Sequence, residues 1–329
     1  MSVTVSAPGK IYLLGEHSVV YGKPALLAVI DRRIYVKCQS ASRRTNVKGQ
    51  KGIKIISSQN TYLIERAISV FQKYYAIRDI PPIEISVISE VPPGSGLGSS
   101  AALSAAIIGA LMKYIKNEWD LKCINDLVFE VEKTAHGHPS GADNCAVIYG
   151  GLLWFRKESE ELKLISSLPQ KSYKIPTFIL IDSGRPKETT KKMVEAVALL
   201  FQKKRKDMEA IMSSQENGTK RLLLALRDGN HKEIVNSIKI GSANLQKMGV
   251  VGTNALKIIR EVERAGGAAK ISGAGGVKKG SGFIMCFHDK SDRIKRIANK
   301  FGVSSSPVIL GGEGIRIENE EKKIRLIKL

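Results

Sequence analysis

The feature that most limits how this chain can fold is a nearly unbroken apolar helical run, SAALSAAIIGALMKYIK at 100–116, entered directly from PPGSGLGS at 92–99. A helix apolar all round has to be buried all round. The segment leading into it carries Gly94, Gly96 and Gly98 at alternate positions. Glycines let the backbone take positive φ and approach a ligand closely. Ser99 or Ser100 can cap the helix, whose N-terminus offers unpaired N–H groups and a partial positive charge that suit a phosphate. A serine hydroxyl there can also coordinate Mg²⁺. No Gly-Lys-Ser/Thr follows the glycines and no GxGxxG fits them, so neither a Walker loop nor a dinucleotide fingerprint accounts for the stretch. A serine-capped turn without a ligand explains the residues as well as a phosphate site does.

A chain of 329 residues exceeds what one hydrophobic core usually serves, so two domains are expected. No apolar stretch reaches membrane-spanning length without interruption. MSVTVSAPGK has neither the charged nor the apolar region of a signal peptide. A cytoplasmic protein without membrane association is the expectation. Cys38, Cys123, Cys145 and Cys286 are scattered with no CxxC pair, which argues against a zinc site or a disulfide framework. They read as reduced, buried packing residues. Lysine and arginine total 52 against 31 acids, a net charge of +21 that would attract polyanions. The charge is spread along the chain, and its densest run, QKKRKD at 202–207, reads as a solvated helix face. The few aromatics do not interleave with basic residues, so nucleic-acid binding is not expected.

Alternation predicts strands in VTVSA, KIYLLGE and ALLAVIDRRIYVKC within the first 38 residues, and again in IEISVISE at 83–90. Residues 43–59 read as an exposed basic hairpin or loop. Leu63, Ala67, Phe71 and Tyr74 share one stripe of a helix over 61–77. Another helix covers about 123–136, and CAVIYGGLLWF reads as a strand pair. Loop residues around Pro169 and Pro176 mark a domain boundary. Beyond it the pattern predicts a strand at TFILIDS, then helices at 187–212, 217–228, 231–247 and 253–265, with Gly266 and Gly267 as a C-cap. AAKIS and GFIMCF are strands around a second glycine-rich segment, followed by a helix at 291–300 and short strands. Strands and helices mix without βαβ regularity, which indicates α+β domains.

Three further stretches carry candidate chemistry. In EKTAHGHPSGADN, Glu132 lies one helical turn before His136, and a tight turn presents Asp143. The pair could serve as metal ligand and proton acceptor; an N-capping Asp143 and a solvated Glu132 are the plainer reading. An HxHxD metal site is excluded because position 140 is Ser140. In SAPGKIYLLGEHSVVYGKPAL, Lys10 follows Pro-Gly, and Gly15-Glu16-His17 interrupts an apolar run. Such polar residues are costly in a strand unless paired or functional, although a surface loop would also hold them. KISGAGGVKKGSGFIMC is a strand, a glycine loop and a strand.

Taken together and in this order, APGK, PPGSGLGSSAA and SGAGG resemble the three motifs of the GHMP kinases, and the resemblance covers nearly the whole chain. It implies an α+β, two-domain GHMP kinase fold: a ribosomal protein S5 domain 2-like N-terminal domain over 1–170 and a ferredoxin-like C-terminal domain over 171–329. Within the family, APGKIYLLGEHSVVYGKPAL and HGHPSGADN look like the members that act on mevalonate. The implied activity is transfer of the ATP γ-phosphate to the C5 hydroxyl of mevalonate, with Mg²⁺ as cofactor. By the same resemblance Pro93, Gly94, Ser95, Gly96, Leu97, Gly98 and Ser99 would wrap the ATP phosphates. Ser100 and Glu132 would hold Mg²⁺. Asp143 would be the catalytic base and Lys10 its partner, polarising the hydroxyl or steadying the phosphoryl group. Glu16, His17, Ser140, Thr190 and the third motif, with Gly273, Ala274 and Gly275, would line the substrate pocket. A homodimer is compatible with this reading.

One departure stands out: GAGG is followed by Val277, Lys278 and Lys279 where the family usually continues in glycine, so this loop is expected to sit differently. The rival readings are a GHMP kinase for phosphomevalonate or a sugar, a non-catalytic GHMP-fold regulator, and a nucleic-acid-binding protein. The presence of Lys10, Ser100, Glu132 and Asp143 together weighs against the regulator.

Overall fold

Residues 99–111 form a helix in which every side chain from Ala101 to Leu111 is buried. The first half of the chain is arranged to cover it. The computed structural model describes residues 2–41, 53–136 and 139–319. In chain order the first half runs β1 (Ser2–Leu14), β2 (Ala25–Ser40), β3 (Ile53–Ile56), α1 (Thr61–Tyr74), β4 (Ile83–Ser89), α2 (Ser99–Leu111), α3 (Leu121–His136), α4 (Ala142–Tyr149), β5 (Leu152–Lys157) and β6 (Lys163–Leu168). The second half runs β7 (Phe178–Asp182), α5 (Thr190–Lys203), α6 (Arg205–Asp228), α7 (His231–Lys247), α8 (Thr253–Arg264), β8 (Ala268–Ile271), β9 (Phe283–Phe287), α9 (Ser291–Lys300), β10 (Ser305–Val308) and β11 (Arg316–Ile317).

The larger sheet has the order β11-β1-β2-β4-β3. β2 is long enough to pair with β4 through Ile34–Ser40 and with β5 through Ala25–Ala28, and β6 is added outside β5. Only the β3–β4 pair is parallel among these strands. α2 lies on β1 and β2 and is flanked by α1, α3 and α4. The smaller sheet, β10-β7-β9-β8, is antiparallel throughout. β7, β8 and β9 are buried on both faces, and strict alternation sorts the side chains of β7 and β9. Phe178, Leu180, Phe283 and Met285 join the large core that also contains α2, whereas Ile179, Ile181, Ile284 and Cys286 pack in a second core with α8 and α9. The two sheets therefore share one apolar core, and β11 returns from the second half to the edge of the first sheet.

The structure corrects several readings. CAVIYGG does not pair as a strand: Ala142–Tyr149 is a short buried helix, closed by positive-φ Gly150. Its β-branched Val147 and Ile148 are taken up by the core beneath α2, so tertiary packing overrides their strand preference. The long helical region breaks at Lys204, and α6 is continuous through the SSQENG stretch. Its Gly218 is buried among Leu14, Ser237 and Ile240, which suits the close α6–α7 packing. Tyr74 leaves the apolar stripe of α1 and is exposed. Cys123 is half-buried, while the other three cysteines are buried as expected. Of the segment 43–59, read as an exposed hairpin or loop, residues 53–56 form the partly buried strand β3 and residues 43–52 lie outside the described residues. The basic run at 202–207 is exposed throughout.

Candidate active site

The sequence-predicted residues come together around one cavity of about 720 Å³. Its floor is built from β1 and the first turn of α4. Lys10 and Tyr12 are two residues apart on β1 and so project to the same side. Lys10 Nζ lies 2.9 Å from Asp143 Oδ2, and Tyr12 donates its hydroxyl to Asp143 Oδ1 at 3.0 Å. Lys10 also sits over the Tyr12 ring, 4.2 Å from its centre. Both carboxylate oxygens of Asp143 are therefore held, while its side chain keeps 34% of its surface open to the cavity. Tyr12 was missed in the sequence; it stands two residues after Lys10 in the KIYLLGE strand, and the period of two would have put it on the same face. Burial first, and then the neighbouring Asp143 carboxylate, push the Tyr12 phenol well above 10.0, so at neutral pH it is a donor.

The glycine loop closes over this floor. The Lys10 N–H donates to the Leu97 carbonyl at 2.9 Å, tying β1 to the loop. A Cβ on Gly98 would lie 2.8 Å from both Cγ and Cε of Lys10, so the glycine makes room for the lysine stem as well as taking φ 72°. A Cβ on Gly96 would lie 2.1 Å from the Ser272 carbonyl oxygen of the third motif. That contact is with backbone and cannot be relieved by a rotamer. From Pro93 to Ser100 every residue except Leu97 lines the cavity. Leu97 instead buries its side chain in the core and leaves only its main chain in the loop. Neither Ser99 nor Ser100 caps α2; Gly98 occupies that position with a left-handed backbone. Ser100 is turned instead toward α3, with its Oγ 3.4 Å from Glu132 Oε2.

Glu16, His17, Ser140, Thr190, Gly273, Ala274 and Gly275 all line the same cavity. His17 has φ 57° at the start of a short 3-10 turn, and its Nε2 lies 3.1 Å from the Ala274 carbonyl. A carbonyl only accepts, so Nε2 carries the proton. Burial lowers the His17 pKa, which favours the neutral ring and leaves Nδ1 as an acceptor. Thr190 is the first residue of α5, while Thr189 supplies the cap by accepting from the Lys192 N–H at 3.3 Å. Val277, Lys278 and Lys279 turn away from the cavity. Val277 N–H donates to Glu188, and the Lys278 and Lys279 carbonyls accept from the first N–H groups of α8 at Thr253 and Asn254. The departure in the third motif is thus absorbed at the helix end. The glycines before it keep their place in the cavity wall.

A glycine loop at the N-terminus of a buried helix, facing a lysine–aspartate pair across a cleft, defines a small-molecule kinase of the GHMP class. The pattern of the GHMP kinases N terminal domain matches residues 62–151. The chain is 32% identical over 274 residues to the mevalonate kinase of Archaeoglobus fulgidus, covering 82% of this chain and 88% of that one. It is 32% identical over 277 residues to the mevalonate kinase of Methanothermobacter thermautotrophicus, covering 84% and 88%. The chain belongs to the GHMP kinase family. Among solved structures, the fold is similar to that of L. major mevalonate kinase in complex with R-mevalonate, with a TM-score of 0.77 at 19% identity over 94% of this chain and 96% of that one. It is also similar to the Lin0012 protein from Listeria innocua, with a TM-score of 0.76 at 22% identity over 97% and 100%.

Gly96→Ala should disrupt the contact between the two glycine loops. The strained left-handed residue and the clash with Ser272 are expected to cost about 1–3 kcal/mol of stability. They should also raise the KM for ATP with little change in the KM for the acceptor. Denaturant unfolding and steady-state kinetics read the two effects.

Proposed function

We propose that this chain transfers the γ-phosphoryl group of ATP to the C5 hydroxyl of mevalonate, giving 5-phosphomevalonate and ADP. The observation that carries the reading is Asp143, held at both oxygens by Lys10 and Tyr12 on the floor of a cavity whose roof is the glycine loop. The similarity to mevalonate kinases supports the choice of acceptor.

Phosphoryl transfer needs an aligned nucleophile and charge neutralisation more than covalent work by the protein. ATP phosphates would lie against the backbone from Pro93 to Ser99 and the N-terminus of α2, where free N–H groups favour anions. The acceptor hydroxyl would lie against Asp143, which takes its proton as the oxygen attacks the γ-phosphorus and ADP departs. Lys10, fixed between Asp143 and the Tyr12 ring, would offset charge on the transferring group. Glu16, His17, Ser140, Thr190 and the SGAGG loop would enclose the acceptor.

Ser100 and Glu132 place two oxygen donors side by side on α2 and α3, close to where the phosphates would lie. Among the described residues there is no group of three or more His, Cys, Asp or Glu side chains suited to a metal ion. A site of few protein oxygens fits Mg²⁺, which keeps several waters and binds through substrate phosphates. When bound it would supply neutralisation of charge on the phosphate oxygens.

A cytoplasmic location and a working division into units 1–170 and 171–329 belong to the same reading. Among the described residues no helix is long and apolar enough to cross a membrane.

ADP release with mevalonate, phosphomevalonate, galactose and homoserine offered separately tests the assignment. Turnover with mevalonate alone is the expected result, and turnover with a different acceptor would overturn it. Glu132→Gln should raise the Mg²⁺ concentration for half-maximal rate at least about tenfold. An unchanged Mg²⁺ titration would remove Glu132 from the metal site.

A further inference from the structure

Lys270 is fully buried, and its ammonium group is not part of the pocket wall. It lies on β8 in the smaller sheet and reaches across to the first strand of the larger one. There it donates to Glu16 Oε1 and, at 3.0 Å, to the carbonyl oxygen of Tyr12. Two residues later Ser272 Oγ accepts from the Tyr12 N–H at 3.3 Å. The segment that leads into the third motif thus holds the Tyr12 main chain at both its polar groups, while the Tyr12 side chain holds Asp143. Glu16 lines the cavity, and its second oxygen, Oε2, is buried with no hydrogen-bond partner among the described residues.

A fully buried ion pair is a weak source of stability, because desolvation of both groups offsets their attraction, and an apolar pair of similar volume often serves as well. Its placement has a clearer consequence for the ligand. A lone Glu16 carboxylate would repel an anionic acceptor and the nucleotide. Paired with Lys270 it is neutral overall. Burial pushes the Glu16 carboxyl up and the Lys270 ammonium down, and each is drawn back by the other. Lys10 is the other charged group that both of them feel.

We propose that Lys270 is a positioning residue for the phosphoryl acceptor: by fixing and neutralising the Glu16 carboxylate it holds the part of the cavity wall against which the acceptor lies. This rests on the kinase reading given above and adds a residue of the smaller sheet to the acceptor side of the site.

The test is a double-mutant cycle of wild type, Glu16→Gln, Lys270→Met and the double variant, with KM measured separately for ATP and for the acceptor that wild type turns over fastest. Each single variant should raise the acceptor KM about tenfold and leave the ATP KM near its wild-type value. In the Glu16→Gln background, Lys270→Met should change the acceptor KM by less than about twofold, because it acts through Glu16. An acceptor KM unchanged in Lys270→Met, losses that multiply in the double variant, or parallel rises in both KM values would overturn the proposal. If Lys270→Met alone does not fold, the comparison of Glu16→Gln with the double variant, which buries neither charge, decides the matter by the same criterion. Wild-type turnover of an acceptor other than mevalonate defeats the substrate reading while the cycle is still read with that acceptor. A wild type inert to all four acceptors overturns both.

Discussion

An ammonium group as deeply buried as that of Lys10, 1% exposed, needs a counter-charge and further partners within reach. Asp143 supplies the charge at 2.9 Å and the Tyr12 ring supplies a face. Much of the surrounding structure follows from that requirement. β1 must run beside the first turn of α4, and Gly98 must lack a side chain where the lysine stem passes. The glycine loop must also lie close enough for its Leu97 carbonyl to take the Lys10 N–H. The buried helix α2 anchors that loop from behind. The apolar run that most constrains the fold therefore also fixes where the loop meets the lysine.

The smaller sheet completes the site from the other side. Its third-motif loop packs backbone to backbone against Gly96, and Phe283 donates its N–H to the Ser95 carbonyl at 2.9 Å. Lys270 and Ser272 grip Tyr12 from the same side. The cavity is thus a joint between two sheets that share an apolar core. Tyr12 thus links the second sheet to Asp143, its main chain held by Lys270 and Ser272 and its hydroxyl donating to the carboxylate.

What could be read in the sequence was what leaves a local mark. Glycines at alternate positions before an apolar helix, a lysine after Pro-Gly, and a carboxylate just past a Pro-Ser-Gly turn are each visible within a few residues. The helix α4 was hidden because Val147 and Ile148 favour strands and only their burial against α2 makes a helix there. Leu97 looked like its glycine neighbours but faces the core. Ser99 and Ser100 looked like caps, yet Gly98 takes the cap position and frees Ser100 to face Glu132. Lys270 could not have been singled out: a lysine in a strand reads as solvent-facing, and its partner Glu16 lies 254 residues away along the chain.

The central claim is that Asp143, held by Lys10 and Tyr12, takes the proton of the acceptor hydroxyl and has no part in holding the nucleotide. Asp143→Ala, with turnover and ATP affinity measured on the same preparation, tests it most directly. The account predicts a fall in kcat of about 10³-fold with ATP affinity unchanged. Turnover near the wild-type rate, or a loss of ATP binding as large as the loss of rate, would contradict it.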